Sequence, residues 1–267
     1  MLLCLHCGAQ QISSSAPGNG ATALLMVHFG TTFDTTRQKT IDTINEKARQ
    51  AFPQMKIAEA YTSRTVMKRL AAKGIHKDTP TDALLRLRAE GHRSIKVQPT
   101  FIIDGKEMDK LRQEVDQLRP FFDTISVGMP LLYSVDDCQR VCDVLVARYS
   151  SSATRHHTIF VGHGTEGPAT ALYSQLDYML HASGHPNYHV ATIEGYPTLQ
   201  TVTAQLKAQR AKSVTLAPLL FVAGDHATND IAVEWKEALE HEGFTVDTVI
   251  EGLGEVPEIQ ELYIKTN

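Results

Sequence analysis

Apolar runs alternate along this chain with amphipathic segments of helical spacing. Apolar runs occupy residues 21–30, 56–63, 94–103 and 124–132, and helical patterns occupy 31–52, 64–73, 79–90 and 106–122. Regular alternation of strand and helix signals is typical of α/β proteins with a mostly parallel sheet and helices on both faces. The first half of the chain therefore predicts four strands, complete by about residue 132.

The same order of signals begins again after residue 150. The segment at 156–167 matches "ALLMVHFGTTFD", "ATIEGYPT" matches "IAEAYTSR" with Glu194 against Glu59, and 213–230 matches the segment that starts at Ser94. The offsets are 134, 135 and 119 residues, and the shorter one fits a loss of helical material from the second half. We interpret this as an internal duplication. It predicts two similar α/β domains, 21–134 and 135–267, each with a four-stranded parallel sheet flanked by helices, and a cleft between them.

Three polar residues follow the matched strands of the second half: His163 in "VGHGT", Glu194 in "IEGYP" and His226 in "AGDHA". We take "LLFVAGDHATND" (219–230) as an apolar strand that runs into Gly224 and then into this last motif. Because parallel strands expose their carboxyl ends on one rim, the three side chains are expected to converge there. Two imidazoles and a carboxylate suit a first-row divalent metal such as cobalt, nickel, iron or zinc, and they also accept protons near neutral pH. The alternative is that the histidines only cap or hydrogen-bond the strand ends, that the flanking glycines serve tight turns, and that Glu194 is an ordinary acid at a helix start.

Motifs along almost the whole chain carry a family resemblance. They are "LLMVHFGTTFDTT", "AYTSRTVMKRL", "DTPTDALLRL", "FIIDGKEMDKL", "VGMPLL", "VGHGTEG", "IEGYP", "PLLFVAGDHATND" and "GLGEVPEI". In this order they resemble the anaerobic cobalt chelatases of the class II chelatase superfamily, the sirohydrochlorin cobaltochelatases of cobalamin biosynthesis. The resemblance implies insertion of Co²⁺ into sirohydrochlorin or precorrin-2, with His163 and His226 as metal-binding residues and Glu194 as the acid between them. All three lie in the second domain.

Metal insertion requires the metal to lose water, the pyrrole N–H protons to leave and the macrocycle to bend. His163, Glu194 and His226 are expected both to hold the metal and to handle these protons. Fe²⁺, Ni²⁺ or Zn²⁺ are expected to be accepted in vitro. The sequence has no G-x-x-x-x-G-K-[ST] phosphate loop, so neither ATP nor an organic cofactor is expected.

The tetrapyrrole that the resemblance implies carries eight carboxylates, so cationic side chains are expected near the cleft. In "TSRTVMKRL" we choose Arg64 over Lys68 and Arg69, because it lies nearest the preceding strand. Glu107 occupies the position of His226 in the first half, as a second proton acceptor or as an ordinary helix-start acid. Phe29 and Thr31 are expected on the cleft floor.

The amino-acid composition limits the classes of protein to which the chain can belong. The 267 residues are 42% hydrophobic and 21% charged with a formal net charge of −4, which favours a globular protein without a nucleic-acid partner or a membrane span. Two rival functions stay open, a ferrochelatase for sirohydrochlorin or a porphyrin and a non-catalytic metal or haem carrier. A homo-oligomer is compatible with either.

The remaining cysteines and histidines are not assigned to the metal or substrate site. Residues 1–20, with Cys4 and Cys7, are excluded from the fold as a disordered tail or signal remnant. The protein is expected in the cytoplasm, and the alternative is the periplasm if residues 1–20 belong to an export signal. Cys138 and Cys142 are interpreted as reduced core thiols. His28 is expected to be buried against a polar partner. The other histidines, including His156, His157, His181, His185 and His189, are placed in loops or helix ends without partners.

Overall fold

A computed structural model describes residues 22–151, 153, 155–224 and 226–265, with the backbone but not the side chain of His226. Its strands form two separate four-stranded parallel sheets, as the sequence predicts. The strands are β1 (Ala23–His28), β2 (Lys56–Tyr61), β3 (Ser94–Pro99), β4 (Thr124–Val127), β5 (His156–Gly164), β6 (Tyr188–Glu194), β7 (Ser213–Pro218) and β8 (Thr245–Thr248). The first sheet has the order β2-β1-β3-β4 and the second the order β6-β5-β7-β8, so the two halves share one topology.

Helices cover both faces of each sheet. They are α1 (Asp34–Arg37), α2 (Thr43–Ala51), α3 (Arg64–Ala71), α4 (Pro80–Ala89), α5 (Lys106–Leu118), α6 (Val135–Arg148), α7 (Ala171–Ala182), α8 (Leu199–Ala208), α9 (Lys236–His241) and α10 (Pro257–Lys265). Two helices, α3 and α4, connect β2 to β3, whereas α8 alone connects β6 to β7. The predicted loss of helical material from the second half is therefore confirmed.

The predicted boundary between the halves coincides with a strong helix start. The Ser134 side chain accepts from the backbone N–H of Asp137, and the Asp137 carboxylate accepts from the backbone N–H of Ser134. This reciprocal capping box fixes the first turn of α6. The division at 134/135 stays a prediction, and the two sheets lie on either side of it.

The inner strand β1 is buried on both faces, which explains its nearly continuous apolar run. In β1, Leu25 and Val27 pack into a core between the first sheet and its outer helices. Leu24 and Met26 point the other way, into a larger core that also contains Phe160 of β5. One hydrophobic core therefore joins the two halves and holds their sheets in a fixed relation.

Strand pairing corrects one part of the proposed duplication. Met26 pairs with Glu59 in the first sheet, and its counterpart Phe160 pairs with Val190 in the second. Glu59 therefore corresponds to Val190, and Glu194 lies four residues further along. The shared E-x-Y pattern at Glu59 and Glu194 therefore does not mark equivalent positions in the two sheets. The offsets of 134 and 119 residues agree with the pairing of β1 with β3 and of β5 with β7.

The segment 219–223 is not a strand, contrary to our prediction. β7 ends at Pro218, and the chain then leaves the sheet and crosses toward the first half. Its apolar residues are explained by burial of Leu219, Phe221 and Ala223 instead of by pairing. Consequently His226 follows the end of β7 by eight residues and opens the π-helix His226–Trp235.

Several smaller expectations can now be assessed. Cys138 and Cys142 are buried free thiols, as predicted. His28 is fully buried between Thr100 and Asn45, again as predicted. Residues 1–20, with Cys4 and Cys7, lie outside the described residues. No helix among the described residues is long and apolar enough to cross a membrane.

Candidate active site

A cavity of about 520 Å³ opens between the two halves. Both sheets turn the carboxyl ends of their strands toward it. Residues that follow β1, β2 and β3 line one wall, and the ends of β5 and β6 together with the segment after β7 line the other. Clefts of this size at strand carboxyl ends are the usual ligand sites of α/β proteins.

His163 and Glu194 both line the second wall. The half-buried His163 ring bonds through Nδ1 to the carbonyl oxygen of Gly164 at 3.1 Å. Because a carbonyl oxygen only accepts, Nδ1 is the donor, and in the Nδ1–H tautomer Nε2 presents a lone pair. The Glu194 side chain is exposed at the end of β6. An imidazole lone pair and a carboxylate on one wall are suitable donors for a divalent metal ion.

Gly164 brings these two strand ends together. Its φ is +83°, and it pairs with Glu194 across the β5–β6 register. A Cβ atom at this position would lie 1.5 Å from the backbone oxygen of Glu194 and 2.8 Å from Cβ of Thr192. Only glycine accommodates both the backbone conformation and this close approach. The glycine thus sets the relation between His163 and Glu194.

His226 begins its helix beside the same cavity. Gly224 lines the cavity, and its carbonyl oxygen accepts from the backbone N–H groups of Ala227 at 3.0 Å and Thr228 at 3.1 Å. The hydroxyl of Thr36, from the first half, donates to the carbonyl of Ala223 at 3.4 Å. The backbone around His226 is therefore fixed against the first half. The role of His226 as a metal ligand stays a prediction.

The first half contributes residues at equivalent positions. Strand register and offset match Phe29 with His163, Ser63 with Glu194 and Glu107 with His226, and all three first-half residues line the cavity. Phe29 is 45% exposed, whereas Thr31 is buried. Glu107 lies in the first turn of α5 and forms an ion pair with Lys110 at 2.8 Å. The wall opposite His163 is therefore aromatic and carries one carboxylate.

Arg64 is exposed and is not among the residues that line the cavity. Thr65, Val66 and Arg69 of the same helix line it instead. These three positions share one helical face, which Arg64 does not. The choice of Arg64 as a substrate-binding residue therefore stays a prediction, and helical periodicity adds Arg69 as a second candidate. Lys106 and Lys110 are further cations of the lining, and Lys106 pairs across the cleft with Glu166 at 3.0 Å.

Two buried groups support the cavity: Tyr173 is part of its lining, and His28 lies behind the lining residue Thr100. The Tyr173 hydroxyl accepts from the backbone N–H of Gly164 at 3.4 Å, and burial raises the pKa of Tyr173 to about 12. Burial also lowers the pKa of His28, which bonds to the cavity residue Thr100 at 2.9 Å. Both side chains are consequently neutral near pH 7. They support the walls without adding charge.

Comparison with known proteins agrees with this geometry. The model of the cobalt chelatase (CbiK) family matches residues 22–266. A sirohydrochlorin cobaltochelatase of Salmonella typhimurium is 34% identical over 247 residues, covering 91% of this chain and 93% of its own. The sirohydrochlorin cobaltochelatase CbiKC of Nitratidesulfovibrio vulgaris is 31% identical, covering 85% and 83%.

A solved structure shows the same fold. The sirohydrochlorin chelatase SirB from Bacillus subtilis subspecies spizizenii, in complex with cobalt, has a TM-score of 0.64 at 11% identity, with 92% of this chain and 93% of that chain covered. At this identity the likeness concerns the arrangement of the two α/β halves.

Proposed function

This chain belongs to the cobalt chelatase (CbiK) family, and we infer that it inserts Co²⁺ into sirohydrochlorin in the cleft between its two halves. The observation that carries this assignment to particular residues is the presence of both His163 and Glu194 on one wall of the cavity. The opposite wall at the equivalent position is the phenyl ring of Phe29. The metal therefore approaches the macrocycle from the second half.

The cavity suits a flat, largely apolar ring with charged edges. Its walls contain a set of apolar side chains, namely Phe29, Phe33, Phe101, Ile102, Ile103, Leu219, Leu220, Phe221 and Val222. Arg69, Lys106 and Lys110 add positive charge to the lining. We propose that the apolar walls contact the faces of the macrocycle and that these cations pair with its carboxylates.

We propose that His163, Glu194 and His226 hold Co²⁺ until the pyrrole nitrogens replace them. Imidazole and carboxylate ligands release a first-row metal more readily than a thiolate set would. As the metal enters the ring, two pyrrole protons must leave. Glu194 accepts one on the metal side, and Glu107 is placed on the opposite wall to accept the other. No step requires ATP or an organic cofactor.

An absorbance assay of metallation tests this assignment. Purified protein is mixed with sirohydrochlorin and Co²⁺ without ATP, and the initial rate is compared for wild type, E194Q and H163A. Loss of a positioned proton acceptor is expected to slow insertion by about 100-fold or more. H241Q is the matched control, because His241 is an exposed histidine at the end of α9, away from the cavity lining.

Three outcomes are informative. Slow insertion in E194Q and H163A with a normal rate in H241Q supports the proposed site. Equal rates in all four proteins, matching the uncatalysed background, contradict catalysis and favour a carrier that binds metal without turnover. Faster insertion of Fe²⁺ than of Co²⁺ in direct competition would identify a ferrochelatase. Location in the cytoplasm, the periplasmic alternative and an oligomeric state all stay predictions.

A further inference from the structure

Three histidines and an aspartate form a second polar cluster, between α7 and β6. Asp177 and His181 lie one helical turn apart on α7, and His189 lies near the start of β6. One ligand atom from each of these three residues falls within 4.8 Å of the others. His157 of β5 stacks on His189, with ring centroids 5.2 Å apart. The sequence prediction placed these histidines in loops or helix ends without partners. That was wrong for His156, His157 and His189, which lie within strands, and also for His181, whose ring bonds to the backbone oxygen of Tyr188.

The hydrogen bonds of the cluster determine which atoms carry protons. His181 Nε2 lies 2.7 Å from the backbone oxygen of Tyr188, so Nε2 is the donor, and in the Nε2–H tautomer Nδ1 holds a lone pair. The Nδ1 atom of His181 lies 3.9 Å from Oδ2 of Asp177. This is too long for a hydrogen bond, and it places two electron-rich atoms on either side of a gap. The other carboxylate oxygen, Oδ1, accepts from the backbone N–H of Val190 at 2.8 Å.

His189 is oriented in the same manner. Its Nδ1 lies 3.2 Å from Oε1 of Gln205, an amide oxygen that accepts, so its Nε2 also presents a lone pair. At present Nδ1 of His157 donates to that lone pair at 2.9 Å. Burial disfavours the charged imidazolium, so the lone pair is kept near neutral pH. Metal-binding histidines are commonly held by a carbonyl or amide partner on their other ring nitrogen, as His181 and His189 are here.

We propose that Asp177, His181 and His189 form a second metal site, for a divalent first-row ion such as Zn²⁺ or Co²⁺. Bonds of about 2.0–2.2 Å to nitrogen and carboxylate oxygen allow one ion to bridge the 3.9 Å between Asp177 and His181. The ion takes the place of the His157 N–H at Nε2 of His189. Side-chain exposures of 14% for Asp177 and 28% for His181 leave a path from solvent.

This site is separate from the cleft. His189 and Glu194 lie five residues apart on β6. At about 3.3 Å per residue they are about 16 Å apart, at opposite ends of the strand. The second ion links α7 to β6, and α7 also carries the cavity residue Tyr173. The proposal does not depend on the proposed function, because no group of the cluster lines the cleft.

Metal titration of the full chain tests the proposal. Metal-free protein is titrated with Zn²⁺ by calorimetry and with Co²⁺ by visible absorption, and bound equivalents are counted for wild type, D177N, H181Q and H241Q. The amide introduced by D177N keeps an oxygen for the N–H of Val190, and the amide introduced by H181Q keeps a donor for the carbonyl of Tyr188, so both variants are designed to fold. Circular dichroism checks this. Loss of one ligand is expected to weaken binding at this site by more than about 100-fold, since outer-sphere partners alone are worth about 10- to 100-fold.

The H163A background separates the two sites. The proposal is supported if wild type and H241Q bind two equivalents of metal, if D177N, H181Q and H163A bind one, and if the H163A/D177N double variant binds none. Unchanged stoichiometry and affinity in both D177N and H181Q would overturn it. So would a wild type with a single equivalent that disappears only in H163A, a result that leaves the proposed function intact.

Discussion

Replacement of Gly164 by alanine tests whether the close approach of β5 and β6 creates the active site. The new Cβ would lie 1.5 Å from the backbone oxygen of Glu194 and 2.7 Å from its carbonyl carbon. These are backbone atoms of a paired strand, so rotation of a side chain cannot relieve the overlap. The end of β6 must therefore move away from β5, and Glu194 moves with it.

The expected loss of stability has two parts. A φ of +83° costs a non-glycine residue about 1–2 kcal/mol, of which the lower entropy of the unfolded alanine chain returns about 0.4–1 kcal/mol. Overpacking against fixed atoms adds about 1–3 kcal/mol. The G164A variant should therefore lose about 1–5 kcal/mol of unfolding free energy. A displacement of about 1 Å at a reacting group costs about 100-fold in rate, so insertion should slow by that order.

Gly243 provides the matched control. Its φ is +91°, and a Cβ there meets no atom within 4 Å. G243A therefore carries the conformational cost alone, about 1 kcal/mol, and should keep its insertion rate within about twofold. Urea unfolding gives the free energies, and the metallation assay gives the rates. If G164A matches G243A in both measurements, the proposed spacing of His163 and Glu194 is not set by this glycine.

Three further predictions follow from single contacts. Burial lowers the pKa of His28 in the folded protein, so its neutral form is favoured there. The associated stability is present above the ordinary pKa of 6.5 and is lost as the pH falls below it, by up to about 1.4 kcal/mol per pH unit. Urea unfolding at several pH values between 7 and 5.5 gives the unfolding free energy as a function of pH. This free energy should fall less steeply with decreasing pH for H28Q than for wild type, and an equal dependence on pH would contradict the prediction. R69Q should raise the KM for sirohydrochlorin about tenfold, as expected for a lost charge-assisted bond, whereas R64Q should change it less than twofold. The reverse order would favour Arg64 as the substrate-binding residue, as the sequence predicts. The buried Tyr61 hydroxyl has no hydrogen-bond partner among the described residues, whereas that of Tyr263 donates to Thr100 at 3.3 Å and Phe101 at 3.0 Å. Y61F should therefore be neutral or stabilising by about 1 kcal/mol, and Y263F should be destabilising by about 1–2 kcal/mol. Thermal or urea unfolding measures both changes, and a loss of unfolding free energy in Y61F as large as that in Y263F would refute the argument.

The sequence predicted the sheets well because their strands carry a strong signal. β1 and β5 are continuous apolar runs that end near glycine, and both are buried on two faces. The same criterion failed at 219–223, where an equally apolar run packs across the cleft without pairing. Composition alone does not distinguish burial in a sheet from burial beneath another domain.

Side-chain direction was harder to predict than position. His163 and Glu194 line the cavity at the strand ends, because the strand ends fix where these residues emerge, and their roles stay predictions. Arg64 and Arg69 belong to one short helix, and only the angle around the helix axis separates them. The cluster of Asp177, His181 and His189 combines an i, i+4 pair with a residue on a neighbouring strand. No local pattern joins these segments, so it becomes visible only in three dimensions.

On the proposed function, the difference between the two walls of the cleft gives insertion a direction. Internal duplication provides each half with three rim positions, occupied by His163, Glu194 and His226 in one and by Phe29, Ser63 and Glu107 in the other. The second set has one carboxylate and no imidazole, so it is a poor site for a soft or borderline metal ion. It still offers a proton acceptor and an aromatic surface for the macrocycle. A metal held on one wall and a base on the other lets the ion enter one face of the ring while a proton leaves by the opposite face. On this reasoning, E107Q should slow insertion while leaving Co²⁺ affinity unchanged, whereas H163A should weaken both. Loss of Co²⁺ binding in E107Q would show instead that the two walls share the metal.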